Sequence, residues 1–408
     1  MLRFSTYQIE EFNINHLRIA LYNYITSIQR KDGFVIRIDD LEQANSESKN
    51  GEILDILKKF SIKDEQVVYQ SKNMNIYQQF AYRLLKEKKA FACFCKSDDK
   101  CNCEQLSSKE IQKLKEQDSK FVIKIKKADE TFNFVDIIQG KQEQKFNELD
   151  SFIILNDNGI PTYNFACAID DMSMNVTTII RDESFLNNTH KQLYIQHLLG
   201  YNSNIEYAHI KSIKNIISIK SLFEEGFLPD AIINYLILIG KERENEIFYL
   251  PDAIEWFDIS KIRKESIEFD IEKLKEINRK HLLRMDSKKL SQLFGFSDSD
   301  IGELLKIFLE NSSTINELEE QLELLFNVKV KPKEYRESME LLSKIILDAP
   351  MINSFDEFKV YLSKKSGLSG DKLLKPLAVL LIGRDDTSKL KTIYKLIKPY
   401  LLEVARCQ

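Results

Sequence analysis

Apolar and polar positions switch between two periods in the first half of the chain and keep to one in the second. Leu2 to Tyr7 and Phe34 to Ile38 are short apolar runs that predict strands, and Asn15 to Arg30 between them repeats its apolar residues at helical spacing. A strand, a helix and a second strand in that order predict the opening of a Rossmann-type unit. Ile53 to Lys59, Met74 to Lys89 and Ser108 to Glu116 read as amphipathic helices, while Lys120 to Lys126, Glu130 to Asp136 and Ser151 to Leu155 read as strands. These segments predict a mixed α+β insertion. Ala166 to Ile169 and Thr177 to Ile180 return to strand character, and the helix Lys191 to Leu199 after them predicts a second Rossmann half. From Pro229 onward the period is helical, and the runs Ile315 to Phe326, Tyr335 to Ile346, Phe355 to Lys364 and Lys389 to Val404 predict a helical bundle. The fold class expected is multidomain α/β plus all-α.

A length of 408 residues is enough for two to four domains with ample cores. Charged residues at 30% and apolar ones at 43% exclude wholesale disorder and a membrane class. The start, MLRFSTYQIE, has no basic stretch leading into an apolar one, and apolar runs such as Ile232 to Gly240 are too short to span a bilayer, so a cytoplasmic protein with no membrane association is expected. A net charge of −4 removes any global basic signal for nucleic acid and leaves room for a local basic face. Four of the six cysteines fall in one stretch, Cys93-Phe-Cys95-Lys-Ser-Asp-Asp-Lys-Cys101-Asn-Cys103. Two C-x-C pairs that close together suit four thiolates around one tetrahedral structural zinc, and in a reducing compartment metal is favoured over disulfide. The alternative is a set of incidental or redox-active thiols. Cys167 sits in an apolar run like a small core residue, and Cys407 near the C-terminus is expected to be free.

Several short strings then fall in a telling order. Arg3-Phe4 is followed by Arg18 to Tyr24 (RIALYNY), Phe34 to Asp40 (FVIRIDD), Asp150 to Leu155 (DSFIIL), Gly159 to Ala166 (GIPTYNFA), Asp170-Asp171-Met172 and Ile179-Ile180-Arg181. Gly226 to Leu236 and Lys375 to Gly383 (KPLAVLLIG) continue the series. Their order and spacing resemble those of bacterial glutamyl-tRNA synthetases, a class I aminoacyl-tRNA synthetase family, over nearly the whole chain. The resemblance implies a Rossmann-type catalytic domain in two halves, 1–70 and 167–218, around an acceptor-binding insertion, 71–166, that carries the cysteines. It further implies a stem-contact helical domain, 219–290, and a helical anticodon-binding domain, 291–408, in a monomer. The implied activity is attachment of glutamate to tRNA(Glu) through a glutamyl-adenylate, with ATP consumed in the first step and Mg2+ as its cofactor. An acidic amino acid calls for guanidinium groups, which meet a carboxylate with two parallel donors and stay charged when desolvated. Arg3 and Arg181 align with the family's substrate-binding arginines. Asp39 stands where the family has Glu for the α-amino group, Tyr163 aligns with the pocket tyrosine, and Cys167 falls at another pocket position. Without the resemblance, each of these residues reads as an ordinary ion-paired or core position.

The elements that should hold ATP depart from the family pattern. The HIGH-like motif reads Asn13-Ile14-Asn15-His16, so the positions expected to bind ATP are Asn13 and Asn15, and side chains replace the backbone approach that glycine permits. Ser5 to Glu10 replaces the family's APSPTG loop, which places Tyr7 where a small serine touches substrate and brings Glu10 towards a phosphate site. The lysine loop that ends in KMSKS is cut down to Ile210-Lys211-Ser212-Ile213-Lys214-Asn215. Lys211, Lys214 and His16 remain as candidate catalytic groups, the bland reading of the lysines being two surface residues. Arg181 to Phe185 (RDESF) stands in for an RGEDH-like turn. Three functions follow: a glutamate-tRNA ligase with divergent ATP contacts, a non-catalytic paralogue that binds tRNA or a synthetase partner, or an enzyme that uses the glutamate pocket for another transfer.

Overall fold

The computed structural model describes all residues except 7–8, 42–46, 96–100, 118, 128–130, 146–150, 202–204, 240–246 and 408. Tyr7 and Glu130 therefore lie outside the described residues. The chain divides into two compact units, Met1–Ser221 with Ile233–Phe269, and Leu222–Ile232 with Asp270–Gln408. Among the described residues no helix is long and apolar enough to cross a membrane.

The first unit alternates strands and helices: β1 (Leu2–Ser5), α1 (Ile14–Arg30), β2 (Phe34–Ile38), α2 (Glu47–Lys59), β3 (Gln66–Tyr69), α3 (Met74–Lys86) and β4 (Ala90–Cys93). It continues with α4 (Ser108–Glu116), β5 (Val122–Ile125), β6 (Thr131–Asp136), β7 (Gly140–Lys145), β8 (Ile153–Leu155), α5 (Tyr163–Ser173), β9 (Thr178–Asp182), α6 (Leu186–Leu198) and β10 (Glu206–Ile210). Seven strands form one sheet in the order β3-β2-β1-β9-β10-β6-β7, parallel throughout except for the β6–β7 hairpin. β1, β2 and β9 are buried over nearly their whole length, which is why they read as unbroken apolar runs rather than as alternation. Strand order reverses beside β1, between β2 and β9, and the carboxyl ends of strands at such a reversal border a crevice.

The insertion is a three-stranded antiparallel sheet, β4-β5-β8, whose core holds Tyr77 and Leu84 of α3, Ile123 and Ile125 of β5, and Phe165 and Ile169 of α5. This placement corrects one expectation: Ala166 to Ile169 is not a strand but the middle of α5, whose residues Phe165 to Asp171 are all buried. A helix covered on every side loses the polar positions that mark its period, and a four-residue apolar window then cannot be told from a strand. Pro161 precedes the extended N-cap Thr162, a boundary that favours a helix start.

The second unit is helical and packs around Leu305, Leu318, Leu342, Leu377, Leu380 and Tyr394. Lys389 to Val404 is not one helix: Leu390–Ile397 passes through a single-turn 3₁₀ segment, Lys398–Tyr400, into Leu401–Val404. Pro399 lacks the N–H that an unbroken α-helix would need there. The helices Ser287–Gln292 and Ser299–Phe308 cross at Gly302, where an added Cβ would lie 1.8 Å from the carbonyl oxygen of Ser287. Gly302→Ala is therefore expected to destabilise this unit by about 1–3 kcal/mol despite alanine's better helix propensity, read as a lower urea midpoint by circular dichroism.

Candidate active site

A cavity of about 290 Å³ opens at the carboxyl ends of β1 and β9. Arg3 and Ser5 reach it from β1, Arg181 and Asp182 from β9, Tyr163 from α5, and Asn13, Asn15 and His16 from the start of α1. Asp39, Cys167, Lys211 and Lys214 are not among its lining residues. The spacing of two along a strand explains the floor: Arg3 and Ser5 share one face of β1, and Val35 and Arg37 lie beside them on β2.

Two of the arginines under the cavity are neutralised by the chain itself. Arg3 donates from Nε and Nη2 to the two oxygens of Asp171, at 2.5 and 3.0 Å, a bidentate pair with both partners buried. Arg37, 0% exposed, donates to Asp39 at 2.7 and 3.0 Å, to Asp171 at 3.1 Å and to the Cys167 sulfur at 2.9 Å. Ser5 donates to Asp39 at 2.6 Å, so the Asp39 carboxylate is engaged on both oxygens. Burial alone would raise the Asp171 carboxyl, but Arg3 and Arg37 outweigh it and hold the group below its usual range. Burial pushes the Cys167 thiol up to about 12, so it is a neutral core group.

Arg181 differs from Arg3 and Arg37. It is buried and donates to His209 Nε2 at 3.1 Å, to Gln192 Oε1 at 3.0 Å and to the Thr189 hydroxyl, all neutral groups. No ion pair within 4 Å joins it to a carboxylate among the described residues, and it lines the cavity. Desolvation lowers its affinity for the proton, and the attraction of Asp171 does not make up for it.

The start of α1 is closed by its own chain. A helix N-terminus attracts phosphate through its unpaired N–H groups. Here the Ile14 N–H bonds to Ile217 O at 3.2 Å, while those of Asn15 and His16 bond to Asn13 Oδ1 at 3.0 and 3.3 Å. The Asn15 amide then clasps Ile213 from both sides, accepting from its N–H at 2.7 Å and donating to its carbonyl at 3.0 Å. Ile219 N–H adds a bond to Phe12 O at 3.0 Å and Arg18 one to Lys211 O at 3.0 Å, so the short segment 211–219 is stitched along residues 12–18. His16 takes the Asn13 N–H on Nδ1 at 3.2 Å, and burial drives its pKa down to about 4, leaving it uncharged near neutral pH. Lys211 pairs with Glu183 at 3.1 Å, and Lys214 lies exposed in the short strand β11 (Ile213–Lys214), which pairs with β12 (Ile267–Glu268).

Away from the cavity, at the end of β4, the sulfurs of Cys93, Cys95, Cys101 and Cys103 all lie within 4.8 Å of one another. Cys93 and Cys101 are 3.4 Å apart, as are Cys95 and Cys103, and the Phe94 N–H points to the Cys103 sulfur at 3.4 Å. Tetrahedral zinc with bonds of about 2.3 Å would set the sulfurs roughly 3.8 Å apart, within that spread. The four thiols could hold such an ion.

The profile of class I tRNA synthetases (E and Q), catalytic domain, matches residues 11–276. The chain belongs to that family. Among its relatives, glutamate-tRNA ligase 2 of Sulfurovum sp. is 42% identical over 99% of this chain and 100% of its own length, and glutamate-tRNA ligase 1 of Nitratiruptor sp. matches with the same figures. Glutamate-tRNA ligase 1 of Campylobacter jejuni is 37% identical over 100% of both. A crystal structure of a glutamate tRNA ligase from Elizabethkingia meningosepticum in complex with its amino acid has the same fold, with a TM-score of 0.84 over 99% of this chain and 98% of that one at 21% identity. The E. anophelis glutamate-tRNA synthetase superposes with a TM-score of 0.81. This class I synthetase thus carries the fold of the solved glutamate-tRNA ligases.

Residues to which the sequence assigned no role do much at this site: Arg37 and Asp171, which lie inside the quoted strings, and Thr189, Gln192, His209 and Asp136. Arg37 could have been found from strand alternation, since it shares a face with Val35 and Asp39 in an otherwise apolar run. Two expectations follow. Asp171→Asn, which leaves two buried guanidinium groups without their shared carboxylate, costs roughly 3–5 kcal/mol in a denaturant titration. Protein purified from zinc-replete medium carries one zinc per chain by elemental analysis, and Cys93→Ser with Cys103→Ser removes it; metal-free wild type would overturn the assignment.

Proposed function

We propose that this synthetase-family chain binds glutamate and tRNA but does not carry out the ATP-dependent activation of glutamate at a ligase rate. The observation that carries this reading is the Asn15 clasp on Ile213, which puts side chain and backbone where a helix N-terminus would otherwise present free N–H groups to a triphosphate. Three further features support it. His16 is neutral, Lys211 is tied to Glu183, and the shortened 211–215 segment leaves no long lysine loop to close over phosphate. Removal of a single preorganised donor commonly costs roughly 10² to 10³ in rate, and losses within one site are not additive.

The amino-acid side of the cavity argues for retained binding. Arg181 offers a cation whose hydrogen-bond partners are all neutral, Tyr163 lies beside it, and Arg3 lines the wall with its charge already met by Asp171. In this reading Arg181 takes a carboxylate of glutamate, Asp39 acts through Arg37 and Ser5 instead of reaching the α-amino group, and Cys167 packs beneath. The domain roles follow the family: 1–70 and 167–218 as the two catalytic-domain halves, 71–166 for the acceptor end with the cysteines as a structural zinc site, 219–290 for the stem and 291–408 for the anticodon. The tRNA inferred is tRNA(Glu), bound by a monomer.

One observation favours the second reading, a working ligase using ATP with Mg2+: the end-to-end match at 42% identity to proteins named as glutamate-tRNA ligases. Pyrophosphate exchange with glutamate, ATP and Mg2+, run with and without tRNA(Glu), separates the two. Exchange at least roughly 10²-fold below that of the Sulfurovum relative, with tRNA retained on filters at low salt, is expected. Exchange at the relative's rate would establish the ligase reading, with His16 and Lys211 or Lys214 as the groups to mutate next. Loss of tRNA binding at low salt would reject the binding reading.

A further inference from the structure

Arg181 owes its place in the cavity wall to a buried relay that starts outside the cavity. Its Nε–H is donated to His209 Nε2 at 3.1 Å, which requires a lone pair on that nitrogen and hence a proton on Nδ1. Nδ1 faces Asp136 Oδ2 at 2.6 Å, and the same oxygen accepts the His209 backbone N–H at 3.0 Å. The other Asp136 oxygen accepts from the N–H groups of Ile138 and Gln139, at 2.9 and 2.8 Å. Burial would raise this carboxyl, but the bonds from His209, Gln139 and Ile138 outweigh it and keep it ionised. Burial also pushes the His209 imidazole below its usual range, so it is neutral. The opposite tautomer would set two N–H groups against each other at Arg181 and leave Asp136 without a ring donor.

We infer that Asp136, at the end of β6, is a positioning residue: by fixing His209 as the Nδ1–H tautomer it anchors Arg181 as the cation that receives a ligand carboxylate. The relay rests on the reading of the cavity as an amino-acid site for its ligand, but not for its geometry. The Tyr207 ring stacks on His209 at 6.0 Å and 9°, Phe134 lies at 6.2 Å, and Asp136 and His209 are both fully enclosed, so water does not compete for these bonds. The titratable groups around His209 are Asp136, Arg181, Asp182, His190 and Tyr207. Thr189 completes the arrangement, its hydroxyl 2.9 Å from His209 Nε2 and bonded by Arg181 Nη2. Gln139 donates to the His209 carbonyl at 3.0 Å, which ties the hairpin turn to β10 beside the relay.

The chain has five histidines, few enough for the tautomer to be read directly by long-range proton–nitrogen NMR on the full-length protein labelled with ¹⁵N-histidine. His209, assigned by the signal missing in His209→Gln, is expected to carry its proton on Nδ1, and Asp136→Asn is expected to move it to Nε2. Wild-type protein with the proton on Nε2, or a tautomer unchanged in Asp136→Asn, overturns the inference. Calorimetric titration with glutamate adds the functional half. Asp136→Asn should weaken binding roughly tenfold or more, and His209→Gln, whose amide oxygen can still accept from Arg181, should lose less than His209→Leu. Glutamate affinity equal to wild type in a folded Asp136→Asn protein overturns the positioning role. Wild-type protein that shows the Nδ1–H tautomer yet gives no heat with glutamate rejects the amino-acid reading alone and leaves the anchoring of Arg181 standing.

Discussion

The Asp171 carboxylate is the interaction on which the rest of the first unit depends. It sits on α5, takes two bonds from Arg3 on β1 and one from Arg37 on β2, and so pins a helix across the sheet beside the strand reversal. Two guanidinium groups so deep in the molecule would each cost several kcal/mol if left unpaired. Asp39 and Asp171 together cancel them, with Ser5 and Cys167 filling the remaining donor and acceptor positions. The cavity floor is thus a closed ionic lattice, and Arg181 stands above it with only neutral partners. Arg181 is thus the one of these three guanidinium groups that has no carboxylate among its hydrogen-bond partners.

Most of the architecture was legible because each strand and amphipathic helix met a different environment on each side or was short and apolar between turn signals. α1, α4 and the bundle helix Ile315–Phe326 follow from period alone, and β2 from a short apolar run. α5 did not, because a helix buried all round has no polar stripe to count. The long run before the C-terminus read as one helix because its apolar spacing continues through Pro399, where only the missing N–H breaks the turn. Short-range pattern gives the type of an element and is blind to what covers it.

The site was legible in part for a different reason. Arg3, Tyr163, Arg181, Asn13, Asn15 and His16 do converge on one cavity, since motif positions on β1, α1, α5 and β9 end at the same strand reversal. What the motifs could not convey is which donors the protein already uses. Asp39 and Arg3 have the right chemistry for a zwitterionic ligand, yet their bonds go to Arg37 and Asp171. Asp136 and Thr189 lie 45 residues or more from Arg181 or on another element, and only the fold brings the first of them to His209. Side-chain engagement depends on contacts distant in sequence, and no local pattern encodes it.

The Asn15 clasp also bears on pharmacology. Two hydrogen bonds of one amide fasten residue 213 to the helix start, so on the reading proposed above a molecule shaped like adenosine with a phosphate or sulfamoyl tail would have to break both before it could seat. On the same reading, a glutamate analogue held by Arg181 would meet no such obstacle. On the reading proposed above, nucleoside mimics would therefore lose affinity for this chain while amino-acid mimics would keep it.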